Sequence, residues 1–212
     1  MQLAIIGEGG HSKVIKDLIV LDGNYTIAAI LDDKYTELKE IEGIRYGPVS
    51  SAGEMVQCAT DLKWIVAIGN NEVRKSIVDR LGLSSDSYIS LIHPASVVSP
   101  SASIGRGTVV MANAVVQAEA AIGEHVIVNT GAIIEHDNCI DDYVHIAPRA
   151  TLTGTVSIRE GAMIGAGATV IPGKSIGEWA VVGAGSTVIR DIPAMCTAVG
   201  SPAKWTMFAQ KS

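Results

Sequence analysis

The chain has 212 residues, enough for one large or two small domains, and carries a formal net charge of −6. It contains no run of basic residues, so no nucleic-acid partner is expected. No apolar stretch approaches the roughly 18 residues needed to span a bilayer, so no transmembrane segment is expected.

The opening Met-Gln-Leu-Ala-Ile-Ile-Gly passes straight into an apolar strand and shows neither a cationic leader nor a cleavage site. Three cysteines, at 58, 139 and 196, have no paired or metal-like spacing. Their odd number suits a reducing compartment, so the sequence predicts a cytoplasmic protein. Cys139 is expected to be simply packed.

In chain order, Leu3-Ala-Ile-Ile-Gly7 predicts a buried strand, followed by a glycine-rich turn and a helix over 12–21 with apolar pairs at helical spacing. A second strand is expected over 25–31, ending at Asp32-Asp33. After a polar stretch with Gly43 and Gly47-Pro48 comes a short helix near 51–59. A third strand over 62–68 ends at Gly69-Asn70-Asn71, a second clear helix covers 72–81, and a last strand covers 88–92. Strands alternating with helices indicate a small parallel α/β sheet, in effect half of a dinucleotide fold, over residues 1–92.

From Val98 to Val188 every sixth residue is a branched aliphatic, sixteen times in succession. Four positions further on, the residue is usually small, as in Ala102, Ala114, Ala120, Ala132, Ala150, Ala162 and Ala168. A period of six fits neither a helix nor a simple strand. It marks a parallel β-helix in which each hexapeptide makes one short strand and one corner. Three hexapeptides close a coil, so residues 93–212 are expected to form about five coils plus a turn-rich cap running through Asp191-Ile-Pro193 and Gly200-Ser-Pro202-Ala-Lys204. The stacked Val, Ile and Ala of such a core also account for an aromatic content of only 4%.

Gly7-Glu8-Gly9-Gly10-His11-Ser12 lies between a strand and a helix. Backbone N–H groups at a helix N-terminus attract phosphate, and glycines let it approach. Ser12 stands where a dinucleotide fingerprint has its third glycine, and a tight strand-to-helix turn is the alternative reading. Asp32 and Asp33 stand at a strand's carboxyl end, where an acidic side chain can grip a ribose hydroxyl or a base N–H, or can simply be a solvated strand end. Gly69 ends the third strand on the same edge, and three such ends converging on one crevice favour nucleotide binding more than any one of them does.

Among five histidines, His136, followed at once by Asp137, carries the strongest chemical signal. A neutral imidazole on a coil wall can accept a proton from an attacking amine or hydroxyl, and a neighbouring carboxylate raises its basicity and fixes its tautomer. Polar decoration of a subunit interface is the alternative. His93 and His125 read as structural. A zinc site shared by His125, His136 and His145 is conceivable but has no recognised spacing.

Together, Gly9-Gly10-His11, Leu31-Asp32-Asp33, Ala67-Ile-Gly-Asn-Asn71, Ile92-His93, Ile134-Glu-His-Asp137, His145 and Gly200-Ser-Pro-Ala-Lys204 resemble the hexapeptide-repeat acyltransferases. Most similar is the branch of sugar acetyltransferases that joins a nucleotide-sugar domain to a β-helix. Sialic acid O-acetyltransferases and UDP-4-amino-sugar N-acetyltransferases are its two types. The resemblance covers essentially the whole chain. It implies a left-handed coil, a homotrimer with sites between adjacent coils, and acetyl-CoA as co-substrate with no metal.

Residue by residue, it implies that His136 is the general base, tuned by Asp137. His145 would touch acetyl-CoA, the backbone at Ala166 and Ala184 would meet its pantetheine arm, and Gly154 would offer an N–H to the oxyanion. Gly9, Gly10 and His11 would hold the pyrophosphate, Asp32 and Asp33 the uracil or ribose, and Gly69 the base side. Three departures stand out, the first being a stretch from Lys34 to Lys63 longer than in the compact amino-sugar enzymes. Asp at 137 replaces the more usual Glu, and the period is never broken by the looped insertion many members carry. The expected activity is acetylation of the amino group of a nucleotide-linked, UDP-type amino sugar for a surface glycan. A sialic acid-type O-acetyltransferase, a non-catalytic nucleotide-sugar scaffold and a zinc hydratase are the rivals.

Overall fold

The computed structural model describes residues 1–58 and 61–207. Its contacts divide the chain into two compact units, Met1–Leu91 and Ile92–Ser212.

In the first unit, β1 (Gln2–Ile6) belongs to a five-stranded sheet, flanked by β2 (Thr26–Leu31) and β5 (Lys63–Val66), both parallel to it. Leu3, Ala4, Ile5 and Ile6 are completely buried, as befits a strand covered on both faces. Helix α1 (Gly10–Asp22) turns Ile15, Leu18 and Ile19 inward and ends at Gly23, whose φ of 72° provides a left-handed cap. Helix α3 (Asn71–Leu81) starts at Asn70, whose side chain accepts a hydrogen bond from the Val73 N–H, and stops at Gly82. Between them, α2 (Ala52–Cys58) is the short helix expected near 51–59, and Ala59 lies outside the described residues.

The polar stretch after Asp33 is more ordered than its composition suggests. It forms a hairpin of β3 (Lys39–Ile41) and β4 (Ile44–Gly47), turned by Glu42 and Gly43 with φ of 51° and 78°. Two positive φ values are what a tight two-residue hairpin loop requires. Strand β4 then adds to the sheet parallel to β2, giving the order β3-β4-β2-β1-β5.

In the second unit the hexapeptides form two-residue strands stacked in three parallel sheets. The first face carries Val97–Val98, Val115–Val116, Ile133–Ile134, Thr151–Leu152, Thr169–Val170 and Thr187–Val188. The second carries Ser103–Ile104, Ala121–Ile122, Cys139–Ile140, Ser157–Ile158 and Ser175–Ile176. The third carries Val109–Val110, Ile127–Val128, His145–Ile146, Met163–Ile164 and Val181–Val182. The second residue of each pair, the repeating aliphatic, points inward: Ile134, Ile146, Leu152 and Ile164 are all completely buried. Burying such a side chain is worth roughly 1.5–3 kcal/mol, so three per coil give each coil its stability.

The corners follow a rule that the periodicity leaves unseen. The residue three after each inward aliphatic has positive φ in every hexapeptide from Gly107 to Gly185. Glycine fills this left-handed position at Gly107, Gly131, Gly161, Gly167, Gly173 and Gly185. Elsewhere it is Asn113, Glu119, His125, Asp137, Tyr143, Arg149, Thr155 or Trp179. Large rings here lean over the coil below. His125 stacks on Tyr143 with centroids 5.3 Å apart, and a Cβ on Gly161 would lie 2.4 Å from the Trp179 ring.

Two expectations change. Cys139 is exposed rather than packed, because the first residue of each strand pair points outward. The C-terminal cap contains strands as well as turns. Cys196–Val199 continues the third face parallel to Val181–Val182, and Lys204–Met207 folds back antiparallel onto it.

Candidate active site

His136 stands at the edge between the first and second faces, and its side chain is 59% exposed. Asp137 follows in the left-handed corner position with φ 57°, a conformation Asp and Asn adopt more readily than most residues. That twist turns the carboxylate back, so that Oδ2 lies 2.7 Å from Nδ1 of His136. With its proton on Nδ1, donated to Asp137, the ring presents an unprotonated Nε2 to any incoming donor. One coil on, Gly154 lies directly against the imidazole: a Cβ there would come within 2.6 Å of both Cε1 and Nε2. Glycine at 154 therefore makes room for the ring. Backbone bonds fix the neighbouring geometry, with Thr155 N–H donating to the His136 carbonyl at 3.0 Å and Asp137 N–H to that of Ala118 at 3.0 Å.

The other expected coil residues lie elsewhere on the same unit. His145 projects from the third face, its Nε2 3.1 Å from Asn129 Nδ2. Ala166 and Ala184 occupy the edge between the third and first faces, one coil apart, with Gly185 N–H donating to the Ala166 carbonyl at 2.8 Å. His136, Asp137 and Gly154 are thus brought together at one edge of the first face. His145, Ala166 and Ala184 gather at and beside its other edge.

His93 holds a turn by accepting from Ala95 N–H at 2.9 Å, while His125 is buried under Tyr143. His125, His136 and His145 therefore occupy three different places on the coil. Among the described residues no group of three or more His, Cys, Asp or Glu stands where it could hold a metal ion.

In the first unit, the Gly7–His11 turn combines two kinds of glycine. Gly7, at φ 99°, faces the end of β5, and a Cβ would lie 2.9 Å from Ile68 Cγ1. Gly9 and Gly10 have open space around them instead, so their lack of side chains is not demanded by packing within the unit. Ser12, fully buried, donates through its hydroxyl to the Gly9 carbonyl at 2.8 Å and so replaces the expected third glycine without blocking the turn. His11 has its Nε2 buried without a partner among the described residues. Burial, helped by the nearby Arg74 charge, pushes its pKa down from 6.5 to about 4. At neutral pH it can offer a phosphate an N–H but no positive charge.

Asp32 accepts from the backbone N–H groups of Glu8 (2.6 Å) and Lys34 (3.0 Å). It therefore ties the glycine turn to the end of β2. Asp33 accepts from Val49 N–H at 3.0 Å and from Arg80 at 2.8 Å, and the Arg80 guanidinium holds its carboxyl below the usual carboxylate range. Gly69 lies three residues beyond the end of β5, which stops at Val66 rather than reaching residue 68 as expected. Its carbonyl accepts from Arg74, a buried guanidinium that also grips the Ile68 carbonyl and the Asn71 side chain.

Sequence reasoning missed Glu8, the centre of a polar cluster at this edge. Its carboxylate accepts from Tyr35 OH at 2.5 Å and pairs with Lys16 at 3.1 Å and Lys34 at 3.2 Å. Burial alone would raise the pKa of Glu8, but these three partners outweigh it and hold it low. The Tyr35 hydroxyl, bonded to Glu8, is pushed up to about 12. Only the position of Glu8 inside the glycine turn could have signalled it.

An α/β unit with a glycine turn, followed by a hexapeptide coil bearing an exposed His–Asp pair, defines a class of acyltransferase folds. Known proteins narrow it. The family described as PglD N-terminal domain matches residues 2–81. UDP-N-acetylbacillosamine N-acetyltransferase of Bacillus subtilis (strain 168) is 52% identical over 110 residues, which is 52% of this chain and 51% of that protein. The match thus spans about half the length of that relative. Among solved structures, PerB of Caulobacter crescentus, in complex with CoA and GDP-perosamine, is 36% identical with a TM-score of 0.87, covering 97% of each chain. The acetyltransferase domain of PglB from Neisseria gonorrhoeae, in complex with acetyl coenzyme A, is 38% identical with a TM-score of 0.83, covering 96% of this chain and 98% of that one. The chain belongs to the hexapeptide-repeat sugar acetyltransferases, in the branch that carries a PglD-type N-terminal domain.

Proposed function

We propose that the protein is an acetyltransferase that moves the acetyl group of acetyl-CoA to the amino group of a nucleotide-linked amino sugar, in the synthesis of a surface glycan. The observation that carries this reading is the solvent-facing His136, bonded to Asp137 at 2.7 Å and resting on Gly154. The amine nitrogen attacks the thioester carbon while Nε2 of His136 removes its proton. The tetrahedral oxyanion would be met by the Gly154 N–H. The C–S bond then breaks, and the imidazolium returns the proton to the departing thiolate, releasing CoA as a thiol. Asp137 stabilises the imidazolium between the two steps.

Residues 1–92 would bind the nucleotide sugar, with Gly9, Gly10 and His11 at its diphosphate, Asp32 and Asp33 toward uracil or ribose, and Gly69 on the base side. The open space at Gly9 and Gly10 supports this placement, and Lys16 and Lys34 offset the charge of Glu8 near an incoming phosphate. Residues 93–212 would carry the chemistry, with His145, Ala166 and Ala184 along acetyl-CoA. Because these three stand at the far edge of the face from His136, one chain does not gather the full set. A homotrimer, in which the edge of one coil meets that of its neighbour, does. The reading places the enzyme in the cytoplasm, where acetyl-CoA and nucleotide sugars are made.

A thermal-shift screen of UDP-, GDP-, CMP- and dTDP-linked sugars tests the binding half of the proposal. A bound nucleotide at a hundred times its Kd stabilises by about 2.7 kcal/mol, so one base should raise the melting temperature clearly above the others. No shift with any of them would contradict the assignment of residues 1–92.

A further inference from the structure

We infer that Asn138 is a positioning residue for the His136–Asp137 corner; this rests on the reading of His136 as the base. At this inner-corner position the coil mostly uses alanine, and where it does the corner closes with its own backbone bond. Ala132, Ala150, Ala162 and Ala168 donate their N–H groups to the carbonyls of Asn129, Ala147, Arg159 and Gly165 at 3.0, 3.1, 3.2 and 3.0 Å. The corner that bears His136 is built differently. Asn138 is 1% exposed, and its side-chain amide donates to the Glu135 carbonyl at 2.7 Å, in place of that backbone bond. The same amide donates to the Thr153 carbonyl at 2.9 Å, one coil on, and more distantly to the carbonyl of His136 itself at 3.4 Å. Among the described residues, backbone bonds from Asn138 and Val156 to the Glu135 and Thr153 carbonyls are absent.

One buried amide therefore satisfies both carbonyls that two open corners leave free. Those corners are the ones holding His136 and Gly154, the imidazole and the glycine on which it rests. The arrangement has a cost, because Asn138 Oδ1 is buried without a partner among the described residues. Alanine at 138 would remove that cost and let the corner close as the alanine corners do. The polar residue is explained if the open corner is needed to hold the imidazole over Gly154 with Nδ1 at the carboxylate. Thr108 shows the structural half of the device away from His136, its hydroxyl donating to the Gly123 carbonyl at 2.8 Å.

The test compares Asn138→Ala and Asn138→Thr with the wild-type enzyme, using acetyl-CoA and the preferred amino-sugar nucleotide. The alanine variant should melt near the wild-type temperature and keep both KM values within about twofold. Its kcat should fall by about ten- to a hundredfold, the scale expected when a reacting group is displaced by about an ångström. Threonine can restore the link to Thr153 but not the one to Glu135, so its kcat should lie between the two. An unchanged kcat in Asn138→Ala would overturn the inference, as would a loss that appears only as raised KM and lowered melting temperature. If the alanine variant does not fold, the threonine variant decides: reduced kcat at constant KM supports the role, and wild-type kcat overturns it. A wild-type protein that acetylates no amino-sugar nucleotide would overturn the functional reading as well, and this is seen before any variant is made.

Discussion

His11 shows how the solvent environment of one side chain sets a measurable property. Its pKa is held at about 4 against an ordinary 6.5, chiefly by burial. The unfolded chain therefore binds a proton more readily than the folded one between those values. Stability contributed by the neutral ring is complete above pH 6.5, declines as pH falls, and is fully lost below about pH 4. Between pH 8 and pH 5 the loss should be about 2 kcal/mol. Denaturant titrations at the two pH values, on the wild type and on His11→Asn, check this; the variant should show the smaller pH dependence. Gly154 gives a residue-scale test at the other site. Its φ is not in the left-handed region, so Gly154→Ala should fold, and the movable imidazole tip should yield to the new Cβ. We expect kcat to fall at least about tenfold with little change in melting temperature. Steady-state kinetics alongside a melting curve separate the two effects.

At the scale of elements, the coil was legible because its inward position is restricted to branched aliphatics, and a sequence cannot hide a strict period. The left-handed corner three residues later was not legible. Glycine marks it in fewer than half of the hexapeptides, and residues as unlike as Arg149, Thr155 and Trp179 fill the rest. Cooperative stacking of coils above and below imposes the conformation there, so local preference does not reveal it. Thr155 is the least suited of these, being β-branched at φ 59°. Asparagine accepts that conformation more easily, so Thr155→Asn should raise stability by about 0.5–1 kcal/mol, read from the denaturant midpoint. The β3–β4 hairpin was missed for a related reason. Its strands are short and polar at the sheet edge, and Glu42 hid half of a turn of which Gly43 was the visible part.

The pairing of His136 with Asp137 could be read from adjacency, because a left-handed Asp naturally folds its carboxylate back. The roles of Glu8 and Asn138 could not, since each depends on partners brought from distant positions: Tyr35 and Lys34 in one case, Thr153 in the other.

For the whole molecule, the proposed trimer rests on the separation of the six expected coil residues, with His136, Asp137 and Gly154 at one edge of the first face and His145, Ala166 and Ala184 at and beside its other edge. Sedimentation or native mass spectrometry should find a trimer at assay concentrations, and a stable monomer with full activity would remove the need for a neighbouring coil. The central claim is that an exposed imidazole passes a proton while acetyl moves from a thioester to a sugar amine. Purified protein should be incubated with acetyl-CoA and a set of UDP- and GDP-linked amino sugars, following thiol release and product mass together. The account predicts one acetyl group gained on one amino sugar, a matching amount of free CoA, and a turnover lowered by about 10²–10⁴-fold in His136→Ala, with CoA binding retained. Undiminished acetyl transfer by that variant would contradict it.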